Sequence, residues 1–126
     1  MMNEKFDFDE MIQNKEKHYS EKGFINKISS SGGKLSSKAL HAAATLYVAL
    51  KSDDMPTSNK LVMLGALGYF ILPVDLVVDV LPLIGLSDDV FVITAALAKV
   101  YMSITDDMKE QADGWLRKKL GTRYKG

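Results

Sequence analysis

The chain has 126 residues, 16 basic and 16 acidic side chains, and no cysteine. That length builds one domain with a real hydrophobic core. Balanced charge gives no electropositive field to draw nucleic acid, so no nucleic-acid partner is expected. The absence of cysteine excludes disulfides, thiol nucleophiles and cysteine-ligated zinc, and suits a reducing, cytoplasmic setting.

The first 22 residues, MMNEKFDFDEMIQNKEKHYSEK, are highly charged and contain no apolar run, so they do not read as a secretory leader. From Asp7 to about Lys22 the apolar positions Phe8, Met11, Ile12 and Tyr19 predict an amphipathic helix. Asp7 or Asp9 would cap its start and Gly23 would end it. Phe24, Ile25 and Ile28 predict a short amphipathic piece that completes an N-terminal segment over residues 1–30. The run Ser29-Ser30-Ser31-Gly32-Gly33 reads as a flexible loop.

A second helix is expected from about Leu35 to Lys51. Lys38, His41, Thr45 and Ser52 form one polar stripe, and Ala39, Leu40, Ala42, Ala43, Leu46, Tyr47 and Leu50 cover the remainder. His41 therefore reads as a surface or hydrogen-bonded histidine, not a ligand. Ser52-Asp53-Asp54-Met55-Pro56 breaks the pattern.

Thr57 or Ser58 caps a third helix, expected over 58–72. After Lys60 it reads LVMLGALGYFILPV, apolar on every side, as in the centre of a bundle or in lipid. The fourteen residues from Leu61 to Val74 fall short of the roughly twenty that cross a bilayer. Gly65 and Gly68 each weaken a helix by about 1 kcal/mol relative to alanine, so their expected use is close approach of another backbone.

Residues 71–89, ILPVDLVVDVLPLIGLSDD, place four carboxylates among apolar neighbours. Pro73 and Pro82 bracket a short element over 74–81, and Gly85 permits a tight turn. Ser87 is expected to cap the next helix (88–104), with Asp88 and Asp89 in its first turn, where the helix dipole favours anions. A last helix from about Thr105 to Leu120 puts Met108, Ala112, Trp115, Leu116 and Leu120 on one face and the pair Asp113–Arg117 on the other. Trp115 is expected to anchor this helix on the core. The end of the chain is basic, and residues 121–126 read as a frayed tail. The fold class is all-α: about five helices packed around an apolar hairpin made by 58–72 and 88–104.

The ordered set Leu46-Tyr47, Pro56, Lys60, Gly65-Ala66-Leu67-Gly68-Tyr69-Phe70, Pro73, Asp75, Asp79, Pro82, Gly85 and Asp88-Asp89 resembles the YkvA-like family. The resemblance runs from about Tyr19 to Leu120, with a core over 35–120. These are small helical proteins, mainly bacterial, defined as a domain of unknown function. Val78 stands where the family usually has proline before aspartate. The resemblance implies an all-α fold and a motif of Tyr69, Pro73, Asp75, Asp79, Pro82, Gly85, Asp88 and Asp89. It assigns no reaction, and it suggests membrane or endomembrane association.

Three roles compete for Asp75, Asp79, Asp88 and Asp89. They cap helix starts; or they hold a divalent cation, since hard cations take several oxygen ligands; or a carboxylate pair does acid–base or hydrolytic work. No nucleotide-binding, serine-hydrolase or zinc-ligand spacing accompanies them. The expected function is a non-enzymatic structural or interaction module, catalytic residues none, with no cofactor unless that cation binds. The alternative is a membrane-associated protein that inserts its apolar hairpin. A second copy of the chain or a membrane surface is the expected kind of partner.

Overall fold

The computed structural model describes residues 12–31, 36–71, 82–121 and 124, excepting the side chains of 31 and 82–89. Among the described residues, five α-helices follow one another: α1 (Glu21–Ser31), α2 (Ser37–Leu50), α3 (Thr57–Ile71), α4 (Pro82–Lys99) and α5 (Asp106–Leu120). Single 3-10 turns precede α1 (Glu16–His18) and follow α4 (Tyr101–Ser103). The all-α expectation holds.

Local chemistry explains several boundaries. Ser36 caps α2 by accepting from the Ala39 amide at 3.1 Å, and Thr105 caps α5 by accepting from the Met108 amide at the same distance. Asp106 and Asp107 sit at the positive end of α5, while Arg117, Lys118 and Lys119 sit at its negative end. Gly121, at φ 59°, closes that helix with its N–H on the Arg117 carbonyl.

Several expectations are corrected. The helix expected over 7–22 is interrupted within its described part: Asn14 adopts φ 64°, and Tyr19 is extended. Gly23 does not end a helix; it lies in the first turn of α1, which runs on through Ser29 and Ser30, where a loop was expected. The fourth helix starts at Pro82, six positions before Asp88, and runs through Gly85 without a turn. Proline suits a first helical position, because its missing N–H would lack a partner there anyway. Helix α4 ends at Lys99, not at 104, where the chain tightens into the 3-10 turn. The proline-bracketed element over 74–81 lies outside the described residues.

Helix α4 returns alongside α3, and Asn59 Nδ2 at the start of α3 donates to Ser103 Oγ after the end of α4 at 2.8 Å. Helix α5 lies along α2. His41 Nε2 faces the Lys109 carbonyl at 2.9 Å and Tyr47 meets Trp115 at 5.1 Å between ring centroids, both 68 positions apart, so these two helices run parallel. The core between the layers is made of Phe24, Ile28, Leu40, Leu46, Tyr47, Met63, Leu67, Phe70, Val92, Ile93 and Leu116, all essentially closed to solvent. Thr45, expected on the polar stripe of α2, is only 1% exposed. Its hydroxyl donates to the His41 carbonyl at 2.8 Å, which satisfies it without water.

Candidate interaction site

The apolar helix α3 has a glycine notch, and the chain's own N-terminal segment lies in it. A Cβ built at Gly65 would stand 3.1 Å from Ile12 Cβ and 3.2 Å from the Ile12 carbonyl oxygen. One built at Gly68 would overlap the Lys15 carbonyl. Any side chain at position 68 therefore displaces the segment. The expectation that these glycines admit another backbone is met, and the backbone they admit is that of residues 12–16.

The segment, here termed the strap, is a chain of tight turns. The Lys15 amide donates to the Ile12 carbonyl (3.0 Å), the His18 amide to the Lys15 carbonyl (2.9 Å) and the Tyr19 amide to the Glu16 carbonyl (3.1 Å). Gln13, Asn14, Glu16 and Lys17 are exposed, whereas Ile12, Lys15, His18 and Tyr19 are half-buried. Lys15 Nζ hangs 5.9 Å over the Tyr69 ring, a cation–π contact at a site with water access. The strap ends at Ser20, whose hydroxyl accepts from the Gly23 amide at 2.9 Å and so caps α1.

Beside the strap, a polar group closes over an aromatic cluster. Phe24 stacks on Tyr47 at 4.6 Å, and Trp115 and Phe70 lie 5.5 and 6.0 Å from Phe24. The Tyr47 hydroxyl donates to Glu21 Oε2 at 2.7 Å, while Lys51 Nζ donates to that hydroxyl at 2.9 Å and to the same carboxylate at 3.2 Å. Hydrogen bonds from Tyr47 and Lys51 hold the Glu21 carboxyl below its ordinary range. Burial pushes the Tyr47 hydroxyl up, and the bond to Tyr47 raises Lys51. Burial also pushes the nearby Tyr19 hydroxyl up to about 12. Sequence spacing puts Tyr47 and Lys51 four positions apart but gives no sign of Glu21, which comes from α1, 26 and 30 positions away.

The expected pair Asp113–Arg117 forms at 2.9 Å. The basic tail does not simply fray: Tyr124 is buried, and its hydroxyl donates to Asp113 at 2.8 Å. On the outer side of α5, Gln111, Gly114, Trp115, Arg117 and Lys118 line a shallow depression.

Of the residues singled out from the sequence, Tyr69 is half-buried beside the strap. Pro73, Asp75 and Asp79 lie outside the described residues. Pro82 opens α4, and Gly85, Asp88 and Asp89 are within that helix, their side chains outside the description. Asp88 and Asp89 therefore do not occupy the first turn expected of them. Among the described residues, no group of three or more histidine, aspartate or glutamate side chains could hold a metal ion. No described helix is long and apolar enough to cross a membrane.

Residues 59–95 match the family model described as a protein of unknown function (DUF1232). The match includes the glycine notch, all of α3 beyond its first two residues, and most of α4; the strap lies outside it. It is consistent with the resemblance drawn from the sequence. No curated protein and no solved structure matches the chain.

Proposed function

We propose that the protein is a non-enzymatic helical interaction module, cytoplasmic, whose α3 notch holds a tightly turned chain segment. The observation that carries this reading is the Lys15 carbonyl seated against Gly68, where only a residue without a side chain leaves room. A backbone held in this way is recognised by shape and not by side-chain identity. The strap rests on the bundle through Ile12 and Tyr19, while Gln13, Asn14, Glu16 and Lys17 stay exposed, as in a segment laid onto a surface.

Amide hydrogen exchange on the full chain tests the reading. The strap amides of Lys15, His18 and Tyr19 are expected to exchange by a local opening well below the free energy of global unfolding. Gly68→Ala is expected to remove their protection while α2 and α5 keep theirs. Equal protection of strap and core, lost together in the variant, would show the strap to be an ordinary part of the bundle.

A second reading, peripheral attachment to a membrane surface, draws on one further feature. Leu61, Tyr101 and Met102 are 57%, 61% and 93% exposed, near where α3 begins and α4 ends. Co-sedimentation with phosphatidylserine vesicles tests it, and protein left wholly in the supernatant counts against it. The third proposal, a divalent cation at Asp75, Asp79, Asp88 and Asp89, is tested by the melting temperature with and without magnesium or calcium after chelation.

A further inference from the structure

Of the glycines whose surroundings are described, Gly114 alone has neither a close neighbour nor a special backbone. Gly65 and Gly68 face the strap, Gly23 lies against Ser20 and Ile71, and Gly121 takes φ 59°. Gly114 sits exposed near the middle of α5, with nothing within 4 Å of where a Cβ would stand. Glycine weakens a helix there relative to alanine, and the single chain gains nothing in return. A local rule broken without compensation inside the chain points to a gain outside it. The missing side chain opens the shallow depression whose walls are Gln111, Trp115, Arg117 and Lys118. Around it, the outer face of α5 carries charge in two blocks. Asp107 and Glu110 precede Gly114, Arg117 and Lys118 follow it, and all four are exposed. Lys109, the one base in the first half of the helix, holds its Nζ 5.9 Å over the Tyr101 ring instead. Glu110 and Lys118 form no ion pair among the described residues. They stand about 12 Å apart along the helix, too far to meet each other.

We propose that this face docks on the same face of a second copy, α5 against α5, antiparallel and crossing at Gly114. Reversal about Gly114 brings Glu110 of each copy level with Lys118 of the other and beside its Arg117. The paired glycines let the two backbones approach closely enough for these side chains to meet. The contact is isologous, so every pair forms twice. The partner is a second copy because the face holds both signs in sequence. A wholly acidic segment would meet Arg117 and Lys118 but be repelled by Asp107 and Glu110, and a wholly basic one the reverse. A parallel pair would set like charge against like. One pair of 15-residue helices is small beside the roughly 1,200 Å² of a stable interface, so the dimer is weak and low salt strengthens it. The surface is on α5 and not on α3, so this proposal and the notch reading fail separately.

Sedimentation of the full chain at rising concentration and low salt tests the proposal. A monomer–dimer equilibrium is expected. Glu110→Lys and Lys118→Glu are each expected to weaken it several-fold, since each sets like charges across the crossing twice. Mixed in equal amounts, the two variants are expected to recover the dimer, because in the mixed pair opposite charges face each other again at both contacts. Gly114→Gln puts a good helix former at an open position, so its circular dichroism is expected to stay helical while its dimer is lost. Because all three positions are exposed, the monomer fold survives each change. A chain monomeric at every concentration overturns the proposal. So does a dimer undiminished in Gly114→Gln, or a mixture of the charge variants that associates no better than either alone.

Discussion

Tyr47 and Glu21, 26 positions apart, share a 2.7 Å hydrogen bond that joins α1 to α2 above the stacked Phe24 ring. The bond is charge-assisted, because its acceptor is a carboxylate held ionised by Tyr47 and then by Lys51. Being depressed in the fold, Glu21 contributes stability in full above its ordinary value of 4.5. That contribution is lost as pH falls below 4.5 through the folded value. Melting temperature measured against pH is therefore expected to fall less steeply below 4.5 in Glu21→Gln than in the parent. Parallel curves would remove Glu21 from the acid response.

Buried tyrosines govern the alkaline side. Burial, before any other cause, raises Tyr19 and Tyr124 to about 12, and the Asp113 bond adds to the shift of Tyr124. A raised group contributes stability in full below its unfolded value near 10, and loses it as pH rises through the folded value. Stability is expected to decline between pH 10 and about 12, with Tyr19 and Tyr124, and the likewise raised Tyr47, ionising late in a tyrosinate absorbance titration. Tyr124→Phe is expected to remove amplitude from the late step near pH 12; amplitude lost instead near pH 10 would contradict the docked tail.

Gly68 and Gly114 are both helical, yet alanine is expected to act oppositely at the two sites. At Gly68 a methyl group overlaps the Lys15 carbonyl, and overpacking of this kind costs about 1–3 kcal/mol. At Gly114 nothing lies within 4 Å, so alanine is expected to stabilise by about 0.5–1 kcal/mol through helix propensity. Chemical denaturation of the two variants measures both values, and a Gly68→Ala protein as stable as Gly114→Ala would mean that the notch is not filled.

Ser36→Ala and Thr105→Ala each remove a cap bond of 3.1 Å and are each expected to cost about 1 kcal/mol. Trp115, the single tryptophan, reports the unfolding by fluorescence from inside the aromatic cluster. A cost near zero at either position would assign the helix start to packing instead of capping.

The sequence by itself determined what depends on near neighbours. Helical period, the Asp113–Arg117 pair and the room left by Gly65 and Gly68 all act within one or two turns of helix, so spacing reveals them. The tertiary structure alone decided what depends on distant ones. It placed Thr45 in the core, because α5 lies over the stripe that α2 would otherwise show to water. It broke the helical period at Asn14, because seating Lys15 against Gly68, 53 positions away, outweighs the local preference of residues 13–20. It brought Glu21 to Tyr47 and Lys51, 26 and 30 positions away, a meeting no periodicity encodes. It carried α4 back to Pro82, past the turn that Gly85 and the cap that Ser87 would have supplied: such local signals permit a helix end but do not compel one.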